Sequence, residues 1–283
     1  MRLGLLFGLL FSLLLLGSCK KYSAADPAFF MTAHKINVKT NSTQGSGSNK
    51  ITDLWLYVNG KFQGVYPVGH LMPIITNNSS VRINVFPGIK NSGISDTRTS
   101  WPFYDFLTFD TLVESGKNIG RDFTFNYNAT TTFTWTEDFD HSGFSIQKSA
   151  ISGYSMAIAP AADAFEGKSG KMEIPATDPI YSVAQVESSS YYTLPQGSSN
   201  VYLELNYKCN QEFVVGLITE DGYLKEAIRV NPQVNWNKIY IQLSNAVSNP
   251  PVSNKYKVFF RTLKSDESSS PNVFLDNIKL IYL

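Results

Sequence analysis

The chain is 283 residues long, and its 24 Lys and Arg nearly balance 23 Asp and Glu, for a formal charge of +1. That balance argues against nucleic-acid binding, which calls for a basic excess. Aromatic residues at 13% against 17% charged ones supply enough core-forming mass to exclude a wholly disordered chain. Two cysteines and three histidines leave little material for a zinc cluster or a disulfide framework, and the length suggests two domains of ordinary size.

Residues 1–18 carry a positive charge at Arg2, an apolar run from Leu3 to Leu16, and two small residues, Gly17 and Ser18. The run fits a secretory signal and falls short of the roughly 20 residues of a spanning helix. Leu16-Gly17-Ser18-Cys19 resembles the lipobox of bacterial lipoproteins. The resemblance implies cleavage before Cys19 and lipid on its thiol, with residues 19–34 as anchor and linker. Lys20 and Lys21 stand where surface-exported lipoproteins of the Bacteroidota type often carry acidic residues. Outer-membrane attachment through the lipid is therefore expected, with the surface or periplasmic face left open. Cys209 is the remaining cysteine and reads as a strand thiol, since a reactive one needs a neighbouring base.

After the anchor the chain reads as all-β, with short apolar–polar alternations punctuated by Gly, Asn, Ser and Pro. Leu54, Leu56 and Val58 alternate with Trp55 and Tyr57, and Asn59-Gly60 predicts a type I′ hairpin turn into Phe62–Tyr66. Strands are also expected at 35–39, 81–86, 103–113 and 118–128. Residues 40–50 read as a loop, and 87–102 as a long exposed loop. A second group of nine strands is expected at 144–148, 154–159, 171–174, 201–207, 212–219, 223–230, 238–243, 255–263 and 273–282, enough for two packed sheets of a jelly roll. The expected division is a β-sandwich over 35–134 and a jelly roll over 135–283.

The runs Val201–Lys208, Val214–Leu217, Trp236–Leu243 and Phe274–Leu280 resemble the galactose-binding-like jelly rolls of Bacteroidota lipoproteins, a fold that also hosts many carbohydrate-binding modules. The region 35–127, through the Asn59-Gly60 hairpin and the Phe86-Pro87-Gly88-Ile89 turn, resembles small Ig-like or PEGA-like sandwiches and implies a spacer or assembly module. The jelly-roll resemblance also implies a structural calcium ion, with Asp138, Asp140, Glu166 and Asp276 as its carboxylate ligands, the hard oxygen donors that calcium takes. No other cofactor is expected.

Catalytic signatures are missing from the sequence: there is no Gly-x-Ser-x-Gly elbow, His-Glu-x-x-His helix or phosphate-binding glycine loop. The carboxylates Asp138, Asp140, Asp163 and Glu166 read as loop residues, and His141 as an exposed histidine of the linker. A non-enzymatic role is expected. Sugar sites stack exposed rings on pyranose faces with polar groups alongside. Tyr191, Tyr192, Tyr154, Tyr181, Tyr223 and Trp101 are the candidate rings, and alternation sends one of Tyr191 and Tyr192 inward. The partner expected is a polysaccharide bound through the jelly roll, or alternatively a cell-envelope protein met through the loop 87–102 in a structural or adhesion role.

Overall fold

A computed structural model describes residues 28–197, 200–248 and 254–283. The signal and Cys19 lie outside the described residues. No helix among the described residues is long and apolar enough to cross a membrane.

The chain is all-β. Its first half forms β1 (Ala28–Lys39), β2 (Asp53–Val58), β3 (Lys61–Pro67), β4 (Met72–Ile75), β5 (Ser80–Lys90), β6 (Arg98–Ser100), β7 (Leu107–Leu112) and β8 (Asn118–Asn126). One sheet has the order β4-β1-β8, the other β3-β2-β5-β6 with β7 also on β5. Their inner faces enclose Phe29, Leu54, Leu56, Ile83, Val85, Phe123 and Phe125. The expected hairpin is present: Val58 pairs with Lys61 across Asn59-Gly60, both at positive φ, as the right-handed strand twist requires. β1 begins at Ala28, so residues 28–34, read from sequence as linker, belong to the first sandwich, where β1 runs parallel to β8.

The second half forms β9 (Thr132–Glu137), β10 (Ile146–Lys148), β11 (Ala157–Ile158), β12 (Gly170–Glu173), β13 (Val183–Ser188), β14 (Tyr192–Thr193), β15 (Val201–Cys209), β16 (Phe213–Thr219), β17 (Leu224–Val230), β18 (Gln233–Gln242), β19 (Lys255–Leu263) and β20 (Asn272–Tyr282). The sheets are β10-β13-β19-β16-β17, with β14 on β19, and β11-β12-β20-β15-β18, with β9 on β20. The chain passes repeatedly between the two sheets, which makes this half a jelly roll. Its core includes Met172, Leu203, Leu205, Val215, Leu217, Val258, Phe260 and Leu280. β13, absent from the sequence reading, is a mostly buried central strand.

The outer face of the β20-β15-β18 sheet is covered by the first half. Tyr202, Tyr240 and Ile281 project from it into the first half's core. This corrects two expectations. Residues 87–102 are no exposed loop: Pro87–Lys90 continues β5, β6 pairs back onto it, and only the tip at 93–98 is open. Trp101 is 2% exposed, with its ring 4.8 Å from Tyr202 and 4.6 Å from Tyr240. It is a wedge between the halves and unavailable to a ligand, because a large ring beside the crossing point of two sheets gains more from burial than from solvent.

A buried charge lies beside this wedge. Both oxygens of Glu204 sit 2.9 Å from the Tyr127 hydroxyl, and Lys238 Nζ lies 3.1 Å away. Lys279 Nζ donates to Tyr127 Oη at 3.1 Å and to the Ser46 carbonyl at 2.6 Å. Burial, with Lys238 adding to it, pulls Lys279 down to about 7 against the attraction of Glu204. One buried carboxylate thus faces Lys238 directly and, through Tyr127, a lysine that gives up its proton in mildly alkaline solution.

Two outcomes test this junction. Trp101→Ala is expected to cost about 3–5 kcal/mol in urea unfolding, as for large buried aromatics. Lys279 binds its proton less tightly folded than unfolded, so stability should rise with pH between about 7 and 9; the slope should flatten in Lys279→Met, and equal slopes would show the lysine charged in the folded chain.

Candidate functional site

With one jelly-roll sheet covered, the outer face of the β10-β13-β19-β16-β17 sheet is the broad face left open. Register lays its residues out in rows. Gln147, Glu187, Phe259 and Gly216 lie side by side, and so do Gln185, Arg261, Val214 and Arg229; Lys257 and Ile218 follow. Phe259, Val214 and Ile218 make a small apolar cluster apart from the main core. The Phe259 ring crosses directly over Gly216, where a Cβ would stand 2.6 Å from it and 2.4 Å from the Lys225 carbonyl. Only glycine permits that approach. Charged side chains roof the cluster: Lys257 pairs with Glu187 at 2.7 Å, and Arg261 pairs with Glu226.

Tyr191 stands at the rim of this face, 40% exposed, with Lys257 Nζ 5.0 Å from its ring centre. The alternation expected from sequence holds. Tyr192 turns inward and stacks on Trp135 at 5.7 Å, and burial pushes its hydroxyl up to about 12. The other tyrosines do not gather with them. Tyr223 is exposed in the β16–β17 turn, at the same end of the sheet as Tyr191. Tyr181 lies at the opposite end, its N–H on the Lys264 carbonyl. Tyr154 is half-buried and donates to Asp178.

A second surface was missed. On the outer face of the β3-β2-β5-β6 sheet, register places Trp55 between Val65 and Phe86, and Tyr57 between Phe62 and Asn84. The rings run continuously: Trp55–Phe62 at 6.0 Å, Phe62–Tyr57 at 5.2 Å, Tyr57–Phe86 at 5.3 Å, and Phe86 stacked on Phe106 at 4.5 Å. Phe62 is 53% and Phe106 46% exposed. The Trp55 indole packs against Gly88, where a Cβ would come within 2.8 Å of its nitrogen. Polar pairs border the ladder: Thr108 with Asn84 at 2.9 Å, Arg82 with Asp110 at 3.0 Å, and Arg98 with buried Asp53. The signal was in the hairpin itself. If Leu54, Leu56 and Val58 face the core, a period of two sends Trp55 and Tyr57 to the other face.

The carboxylates named for calcium fall in two neighbouring groups. Asp276 Oδ2 accepts from Ser169 Oγ at 2.8 Å and from Glu166 N at 3.2 Å, while Oδ1 accepts from Asn277 N. Glu166 accepts from the Asn277 amide. Asp140 accepts from Lys168 N and Asp138 from Asp140 N. Burial raises the Asp276 carboxyl to about 6 against the hydrogen bonds that hold it down. Among the described residues no group of three or more His, Cys, Asp or Glu is arranged for a metal ion. His141 is exposed. Cys209 is buried, and burial raises its thiol to about 11, so it is a poor nucleophile. Asp276→Ala should cost about 1–3 kcal/mol in chemical unfolding, because it leaves the Ser169 hydroxyl and two N–H groups without their acceptor.

No family model matches this sequence, and no curated protein does. Among solved structures the chain is similar to a mutant carbohydrate-binding module of family 29 complexed with cellulohexaose, at 10% identity and a TM-score of 0.36 over 54% of this chain and 93% of that one. A mutant family 29 module complexed with mannohexaose is similar at 11% identity and a TM-score of 0.35, over 54% and 93%. An exo-β-agarase is similar at 12% identity and a TM-score of 0.39, over 54% of this chain but only 26% of the enzyme.

Proposed function

We propose that this protein is a non-catalytic glycan-binding lipoprotein, held at the outer membrane by lipid on Cys19. The observation that carries the glycan reading is the ladder of Trp55, Phe62, Tyr57, Phe86 and Phe106 on one open sheet face. Flat rings flanked by amide, hydroxyl and charged groups match a sugar's two surfaces, the apolar C–H face and the hydroxyl edge. Tyr191, with the Lys257–Glu187 pair beside it, offers a second, smaller contact on the jelly roll.

The test is retention on a panel of plant, host and microbial polysaccharides. Selective retention of one polymer class is expected. It should weaken at least tenfold in Phe62→Ala/Phe106→Ala, whose exposed rings leave the core intact. Loss in Tyr191→Ala with the double variant unaffected would move the site to the jelly roll.

A second reading, a cell-envelope protein as partner, is favoured by the same aromatic face, since contiguous exposed apolar patches also mark protein contacts. It gains if folded protein is retained on no polymer while Phe62→Ala/Phe106→Ala abolishes capture of one envelope protein.

A further inference from the structure

Between the two sandwiches lies a cleft of about 400 Å³, within the size range of small-molecule sites. Its floor is the gap where β17 and β18 part, and the first half closes it with Lys50, Lys90 and the turn at Ser92-Gly93. No acidic side chain lines it. Lys50 hydrogen-bonds the Asn237 side-chain carbonyl, and Lys90 reaches only Ser95 Oγ, at 3.4 Å. Neither lysine forms an ion pair among the described residues. Lys238, on the same wall, is balanced by Glu204 behind it. The Lys50 and Lys90 charges therefore stand without an ion-pair partner at the mouth of the cleft. Thr52, Ser92, Asn231 and Asn237 supply hydroxyl and amide groups around them.

We infer that this cleft binds an acidic saccharide unit, with Lys50 and Lys90 holding its carboxylate or sulfate and the surrounding amides and hydroxyls meeting its hydroxyl groups. The inference rests on the glycan reading and narrows it to acidic polymers. Lys50 is depressed by burial and by Lys90, so the two cations already repel each other. An anion between them offsets that repulsion. The position also has a mechanical consequence. A ligand here touches both halves at once and draws on the alignment set by Trp101 and Glu204.

Isothermal titration of the full-length chain in mild detergent tests this, with a galacturonic acid trimer, a galactose trimer and inorganic sulfate as probes. The acidic trimer should bind at least tenfold tighter than the neutral one, and more weakly as salt rises. Lys50→Gln/Lys90→Gln should lose at least tenfold for the acidic trimer with an unchanged melting temperature. Equal affinity for the two trimers would overturn the inference while leaving glycan binding in place. So would full affinity in the double variant. Binding of sulfate as tight as the trimer would reduce the cleft to an anion site without sugar recognition. Failure of every saccharide, with no polysaccharide retained, would bring down the glycan reading itself.

Discussion

Glu204 is a carboxylate with no exposure, in the middle of β15, where the two sandwiches meet. A charge in that position is tolerable only if donors are held around it, because the penalty for taking an ion out of water is several kcal/mol. The donors come from different places: Tyr127 from the end of the first half, Lys238 from β18, and Lys279, through Tyr127, from β20. Satisfying this one group therefore fixes the halves against each other. Trp101 fills the space alongside with apolar contact, so polar satisfaction sets the alignment and ring packing supplies much of the energy.

That junction decides which surfaces remain for partners. It consumes one face of the jelly roll and leaves the β10-β13-β19-β16-β17 face open. In the first half it leaves the outer face of the β2 sheet open, with its aromatic ladder. The cationic cleft exists only because the junction brings Lys50 and Lys90 over the β17–β18 gap. All three candidate surfaces are consequences of how the two sandwiches pack.

Both open faces show a shared tactic with different outcomes. Each has a glycine under a ring, Gly216 beneath Phe259 and Gly88 beneath Trp55. On the jelly roll, long charged side chains then cover the ring completely, and Phe259 is fully buried. On the first sandwich the neighbours are themselves rings, which cannot cover one another fully, and Phe62 and Phe106 stay open. A ring in contact with solvent is available for stacking; one roofed by ion pairs is not. On the jelly-roll face Tyr191 at the rim and Tyr223 in the β16–β17 turn meet that condition.

Local alternation, turn chemistry and composition were legible from the sequence alone. They gave the all-β class, the Asn59-Gly60 hairpin, most strands of the jelly roll, and the opposite facing of Tyr191 and Tyr192. These depend on a period of two and on positive φ, which are properties of neighbouring residues. The failures at the junction were of one kind. Trp101 and the partnering of Tyr127, Glu204 and Lys279 depend on which sheet covers which, and contacts across more than seventy residues leave no trace in spacing. The aromatic ladder lies between these cases. The outward facing of Trp55 and Tyr57 was readable from the hairpin, but its continuation through Phe86 and Phe106 required the pairing of β5 with β2. The tertiary structure decided the function-bearing surfaces because a surface is what packing leaves behind, and packing is a property of the whole chain.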